Sequence, residues 1–354
     1  MLIYLLVLIF PFTTSSCSKS EIDASPSFSI TEFIKNNPNR SSLLLIRNDS
    51  IKINLRIDQK FPLASTVKII VAIEFAKQVA SGKINPKELV SVDDLDLYYL
   101  ANTDGNAHPN WKKSSADRNE LNNNKVTLQE VAKGMIWFSS NANTEYLMDR
   151  LGLDNINANL KELNLPNHDK VYPIVSSLYL YSNKNKTELS RVNQLSLQEY
   201  LEECVTIHSK LKSDKDGSYK KQFIIPDLTL QKNWSDRLPA STTKEYGSIM
   251  QKILGQSYYS ITEHEQINSI LEPILGLSPA NKSIYDYFYS KGGSTASVLT
   301  YSLATKTKNG DRTIMTVFFK DLSTEEFTQL QSKLNSFLID CTQGERYKTI
   351  INGL

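Results

Sequence analysis

The stretch Phe61-Pro62-Leu63-Ala64-Ser65-Thr66-Val67-Lys68 runs straight into Ile69-Ile70-Val71-Ala72-Ile73-Glu74-Phe75-Ala76, and the rest of the chain is organised around it. Apolar residues at 67, 69 to 73, 75 and 76 leave no polar stripe, so a largely buried helix is predicted rather than a surface one. Pro62 is expected to fix the approach, Ser65 or Thr66 to sit in the cap or first turn, and the helix to end near Gly82. Ser65 and Lys68 are three residues apart and share a helical face. A buried amine beside a hydroxyl loses hydration, which lowers its pKa and suits it to take the serine proton. The start of the helix adds backbone N–H groups and a partial positive charge that favour a developing oxyanion.

Spacing alone carries little weight. Ser-x-x-Lys recurs at Ser16/Lys19, Ser209/Lys212, Ser218/Lys221 and Ser241/Lys244, all in polar or short segments. Only Ser65 leads into a long apolar helix.

The chain has 354 residues, 40% hydrophobic and 22% charged, which is the composition of an ordinary globular protein with a sizeable core. A net charge of +2 gives no electrostatic footprint for nucleic acid. The four histidines are scattered and no Cys-x-x-Cys occurs, so neither a metal site nor a cofactor is expected. Cys204 and Cys341 either pair or remain buried thiols.

Met1 to Phe12 is almost wholly apolar and too short to span a bilayer as a helix. The small residues before Cys17 resemble a bacterial lipoprotein cleavage box, although no Lys or Arg precedes the apolar core and Thr14 stands where Leu is usual. Residues 1–17 are therefore read as an export signal with Cys17 the lipidation site, and 18–27 as a tether. That anchor is the only membrane contact expected, and the protein is expected to be a monomer in the cell envelope.

Downstream, a short helix at 28–36 precedes a hairpin of strands at 42–47 and 51–57. Residues 90–125 are polar and turn-rich, long enough to form a cleft rim. Helices are predicted at 127–138, capped by Thr127 with Glu130 three residues on, at 142–151 and at 153–163. The run 171–181 (VYPIVSSLYLY) reads as a strand, and helices follow at 196–211, 242–254 and 262–274. Strands at 284–290, 296–305 and 313–320 and a helix at 324–339 close the chain. This order predicts an α+β fold: an antiparallel sheet from both chain ends (28–64 and 255–354) beside an all-helical lobe (65–254).

Three pieces then stand in order: Ser65-x-x-Lys68, Ser139-x-Asn141 and Lys291-Gly292-Gly293. Together with FPLASTVK and Arg237-Leu-Pro-Ala-Ser-Thr-Thr243, they resemble the serine β-lactamase and penicillin-binding protein superfamily, most closely the class A β-lactamases. The resemblance implies the β-lactamase/transpeptidase-like fold and an acyl-enzyme formed on Ser65. It implies Lys68 as proton acceptor, and Ser139 as the group passing a proton to the leaving nitrogen. Asn141 and Lys291 would bind the substrate amide and carboxylate. Ser65 and Ser294 would supply oxyanion-hole N–H groups, with Gly292 and Gly293 letting the ligand approach.

The departures are Ser140 in place of Asp, Gly292 in place of Ser or Thr, and about fifty extra residues between Ser139 and the Ser241-Thr-Thr segment. Where the loop carrying a deacylating glutamate is expected, Tyr172-Pro-Ile-Val-Ser-Ser177 has no acid, leaving Glu188, Glu199, Glu202 or Glu203 as substitutes. The reading is an exported β-lactamase of class A type, acting on β-lactams or peptidoglycan stems. Its rivals are a D,D-carboxypeptidase or other penicillin-binding protein, an esterase, and an idle binding relative.

Overall fold

Both ends of the chain build one antiparallel sheet. The computed structural model describes residues 28–277, 279–343 and 345–354, so the signal segment 1–17, Cys17 and the tether 18–27 lie outside the described residues. The first third holds α1 (Ile30–Asn36), β1 (Ser41–Arg47), β2 (Ser50–Leu55), β3 (Lys60–Pro62), a 3-10 turn (Ala64–Val67) and α2 (Lys68–Ala80). It continues with β4 (Leu89–Ser91), α3 (Val92–Asp96), α4 (Ala107–Asp117) and β5 (Lys125–Thr127). The middle is helical: α5 (Leu128–Trp137), α6 (Asn141–Leu151), α7 (Leu153–Glu162), α8 (Ile174–Tyr179), α9 (Lys186–Gln194), α10 (Leu197–Ser213) and α11 (Leu228–Asp236). Then come β6 (Ala240–Thr242), α12 (Thr243–Gly255), α13 (Ile261–Leu271), α14 (Pro273–Leu277) and α15 (Pro279–Ile284). The last stretch holds β7 (Tyr285–Ser294), β8 (Leu299–Thr307), β9 (Arg312–Phe319), α16 (Thr324–Thr342) and α17 (Tyr347–Gly353).

The five-stranded sheet runs β2-β1-β9-β8-β7, which leaves β7 on an edge. Its central strands are buried on both faces. Leu43 and Leu45 pack with Met315, Val317 and α16 on one side, while Leu44 and Ile46 join Ile314, Phe318 and the helical core on the other. α12 lies on this second face, against β1, β8 and β9.

α2 is the axis of the helical part, enclosed by α5, α6, α7 and α13. Seven of its apolar residues, at 69–73, 75 and 76, are fully buried. Burial of each large aliphatic or aromatic side chain contributes about 1.5–3 kcal/mol, enough to hold Lys68 in the interior against its desolvation. The helix starts at Lys68, three residues later than its sequence predicts. Ser65 instead lies in the 3-10 turn, where no side chain caps the first turn. The delay comes from a pairing distant in sequence. Phe61 and Pro62 form β3 with Ser241 and Ala240 of β6, and Leu63 N–H donates to Pro239 O at 3.0 Å.

Residues 171–181 form no strand; Ile174–Tyr179 is the buried helix α8. Tertiary capping overrides the β-propensity of the run. Glu145 of α6 accepts from Val175 N (2.7 Å), Ser176 N (3.1 Å) and Ser176 Oγ (2.7 Å), supplying the acceptors that the first turn lacks. His208 Nδ1 of α10 lies 2.7 Å from the same carboxylate, and its ring stacks on Tyr98. Glu145→Ala leaves several buried donors unpaired and is expected to cost about 3 kcal/mol. Denaturant unfolding should show a lower midpoint with an unchanged slope, and Glu145→Gln should recover part of the loss.

The capping at Glu130 departs from expectation in a smaller way. Its N–H bonds Thr127 Oγ1 at 3.2 Å, but its carboxylate turns away to Ser115, Trp111 and Arg118. Cys204 and Cys341 are both free, buried thiols in separate apolar clusters. Among the described residues no helix is long and apolar enough to cross a membrane.

Candidate active site

A cleft of about 610 Å³ opens between the edge strand β7 and the helices, and Ser65, Ser139, Asn141, Lys291, Gly292, Gly293 and Ser294 all line it. Lys68 lies just beneath, fully buried. Its Nζ donates to Ser139 O (2.7 Å), Ser139 Oγ (3.3 Å) and Asn141 Oδ1 (2.8 Å). From the other side Lys291 Nζ donates to Ser139 Oγ (3.0 Å) and Gly292 O (2.7 Å). One hydroxyl thus sits between two buried amines. Burial holds Lys68 well below the ordinary lysine value, and the nearby Lys291 charge lowers it further. Burial pushes Lys291 down to about 7.

Local backbone geometry sets these side chains. Ser139 links α5 to α6 at φ +64°, and Ala64 precedes Ser65 at φ +46°; both are left-handed positions that cost about 1–3 kcal/mol without glycine. The Lys68 bond to Ser139 O secures the first. Thr300 secures the second turn, with Oγ1 2.8 Å from Leu63 O, 2.8 Å from Thr66 Oγ1 and 3.2 Å from Gly293 O. Because Lys68 occupies Asn141 Oδ1, the Asn141 amide nitrogen is left for the cleft. Strand β7 passes so close to the serine turn that a Cβ on Gly293 would lie 2.6 Å from Ser65 N and Leu63 O.

At Ser140 the expected carboxylate is replaced by a relay. Ser140 Oγ lies 3.0 Å from His108 Nδ1, and His108 Nε2 lies 2.7 Å from Asp96. Ser140 also caps α6 through Asn143 N, and Asn143 Nδ2 holds Val131 O. The corner is therefore fixed without an aspartate at position 140.

Glu188, Glu199, Glu202 and Glu203 do not reach the cleft. Glu188 and Glu199 close capping boxes at Asn185 and Ser196, Glu202 accepts from Gln198, and Glu203 pairs with Arg191. The enlarged region 164–240 instead contributes an apolar wall: Ile174, Leu178, Ile225, Trp234 and Leu238. Ser182 bonds both the N–H and the carbonyl of Ile224, and Trp234 Nε1 donates to Ser177 Oγ at 2.8 Å, which docks this wall.

Among the described residues lining the cleft, Asp104 is the one carboxylate and Lys291 the one cation. Asp104 Oδ2 accepts from His108 N at 3.0 Å, while its buried Oδ1 has no partner. Burial raises its pKa, a shift opposed by that N–H bond. The rim reading of residues 90–125 points to this loop but not to Asp104, which carries no local signal there. Thr300 is likewise one hydroxyl among many in a β strand until the fold sets it against the serine turn.

An antiparallel sheet from both chain ends, a helical lobe and a Ser-x-x-Lys turn in the cleft between them define the β-lactamase/transpeptidase-like fold. The model of the beta-lactamase enzyme family matches residues 27–333, and the chain belongs to that family of β-lactamase-like serine hydrolases. Many solved structures share the fold, three of them being the following, at low identity. PBP-A, as a variant in its acyl-enzyme complex with penicillin G, is 16% identical with a TM-score of 0.51, covering 86% of this chain and 90% of its own. A β-lactamase from Chitinophaga pinensis is 14% identical, TM-score 0.52, covering 84% and 92%. A chromosome-encoded β-lactamase mutant of Vibrio parahaemolyticus is 12% identical, TM-score 0.55, covering 88% and 99%. No curated protein sequence matches the chain.

Proposed function

We propose that this protein is an exported, lipid-anchored hydrolase of class A β-lactamase type that opens β-lactams through an acyl-enzyme on Ser65 and releases product slowly. The supporting observation is the pair of buried amines flanking Ser139, one of them next to the Ser65 turn. Lys68, once it has lost its own proton and released one of its three acceptors, takes the Ser65 proton as Oγ attacks the lactam carbonyl, and the oxyanion is held by Ser65 N–H and Ser294 N–H. Ser139 Oγ then delivers its proton to the leaving nitrogen as the C–N bond breaks and takes back from Lys68, across their 3.3 Å contact, the proton that came from Ser65, while Lys291 stabilises the hydroxyl oxygen through this transfer. Asn141 Nδ2 donates to the substrate's side-chain carbonyl. The apolar segment ending at Cys17 supplies export and the anchor.

Hydrolysis of the ester needs a base that orients water, and the apolar wall around Ile174 provides none. This favours a second reading, a D,D-carboxypeptidase or other penicillin-binding enzyme acting on peptidoglycan stems. Intact-protein mass spectrometry over time after addition of a penicillin separates the two, with Ser65→Ala as control. An adduct that clears while product accumulates supports the β-lactamase; one that persists supports the penicillin-binding enzyme. No adduct on the wild-type protein would reject both. A carboxylate placed on the wall should speed clearance, so Ile174→Glu is expected to shorten the adduct lifetime about tenfold, short of the roughly 100- to 10,000-fold of a fully positioned general base.

A further inference from the structure

We propose that the Gly292–Tyr301 pair makes this cleft favour acyl substrates that carry a neutral, apolar group, rather than a carboxylate, beside the scissile bond on its leaving side. This inference rests on the Ser65 acyl-enzyme reading above. Gly292 and Tyr301 face each other across β7 and β8. A Cβ on Gly292 would lie 3.0 and 3.1 Å from Cδ2 and Cε2 of the Tyr301 ring. The ring therefore occupies the space that a hydroxyl-bearing side chain would need, an arrangement in which an aromatic covers a strand glycine. Past that ring the cleft continues over Leu299, Phe327, Leu334 and Ile274, with Gln331 of α16 the polar side chain among them.

Anion recognition on this side is correspondingly thin. Lys291 is the only cation among the described cleft residues, and its Nζ is already directed to Ser139 Oγ and Gly292 O. The Thr295 hydroxyl is likewise engaged, with Ser235 Oγ at 2.8 Å. A carboxylate placed here loses water and finds one shared cation and the Ser294 hydroxyl, whereas an apolar group gains burial against the Tyr301 face. Among the acyl substrates open to Ser65, those whose leaving portion is uncharged are thus favoured.

The test is a matched pair: a penicillin with its free carboxylate and the same compound as its methyl ester, each followed by the rate of mass-adduct formation on Ser65. The ester is expected to acylate at least as fast as the acid. In Gly292→Ser/Tyr301→Ala, which opens the space and restores a hydroxyl, the ester-to-acid ratio is expected to fall at least tenfold, with thermal unfolding confirming that the variant is folded. An acid that outpaces the ester tenfold in the wild-type protein overturns the inference and leaves the Ser65 reading intact. Absence of adduct from both compounds overturns the Ser65 reading and the inference with it.

Discussion

Lys68→Met is expected to slow acylation of Ser65 about a thousandfold, within the range for loss of a positioned proton acceptor. The amine is fully buried and contributes nothing to packing that a methionine of similar length would not. Its cost comes from desolvation, which holds its pKa well below the ordinary value of 10.5. A base whose folded pKa lies below its unfolded one binds fewer protons when folded, so the stability penalty is full at pH below the folded pKa. It fades as pH rises toward 10.5, where the unfolded amine also discharges. The relief of desolvation in Lys68→Met should therefore be largest in acid and vanish in alkali, where the lost bonds to Ser139 O and Asn141 Oδ1 leave a net destabilisation. The same titration shapes function: acylation by the wild-type enzyme should rise with pH as Lys68 loses its proton. Residual acylation in Lys68→Met should lack that acidic limb. Chemical denaturation across pH and stopped-flow acylation check both halves.

Gly293→Ala should cost at least about a hundredfold in acylation, as expected when an oxyanion donor is displaced. The added Cβ meets backbone atoms: Leu63 O and Ser65 N at 2.6 Å and Thr66 N at 2.7 Å. None can retreat, because Thr300 Oγ1 holds Leu63 O and Leu63 N holds Pro239 O. The edge of β7 must move outward instead, separating the N–H groups of Ser65 and Ser294. Overpacking of this kind also lowers stability by about 1–3 kcal/mol. Gly292→Ala is the internal control. Its Cβ meets a side chain, the Tyr301 ring, which can tilt, so acylation should fall less than tenfold. Acylation rates of the two variants, paired with thermal melts, test the contrast.

The parts of the site that sequence made legible are those where chemistry and backbone coincide in a few residues. A serine entering an apolar helix, a Ser-Ser-Asn stop between two helices and a Lys-Gly-Gly strand each carry their own local signal. The sheet from both chain ends followed from alternation and turns. What stayed hidden depends on distant partners. Residues 171–181 are strand-like by composition, and only Glu145, 30 residues back from Val175, makes them a helix. Phe61-Pro62 and Ala240-Ser241 carry no strand signal of their own, and it is their pairing as β3 and β6 that delays α2 past Ser65. Gly292 looked like a loss until Tyr301 was found across the strand. The acidic residues of the enlarged region looked like candidates until each proved to be capping a helix or pairing on the surface.

The central claim is that Ser65 is the acylated nucleophile. Trypsin releases it in the peptide Phe61–Lys68, bounded by Lys60 and Lys68. After brief exposure to a penicillin and acid quench, tandem mass spectrometry of this peptide should show the added mass on Ser65, with none in Ser65→Ala. Label on any other residue, or an unmodified Phe61–Lys68 peptide from a protein whose intact mass has increased, would contradict it.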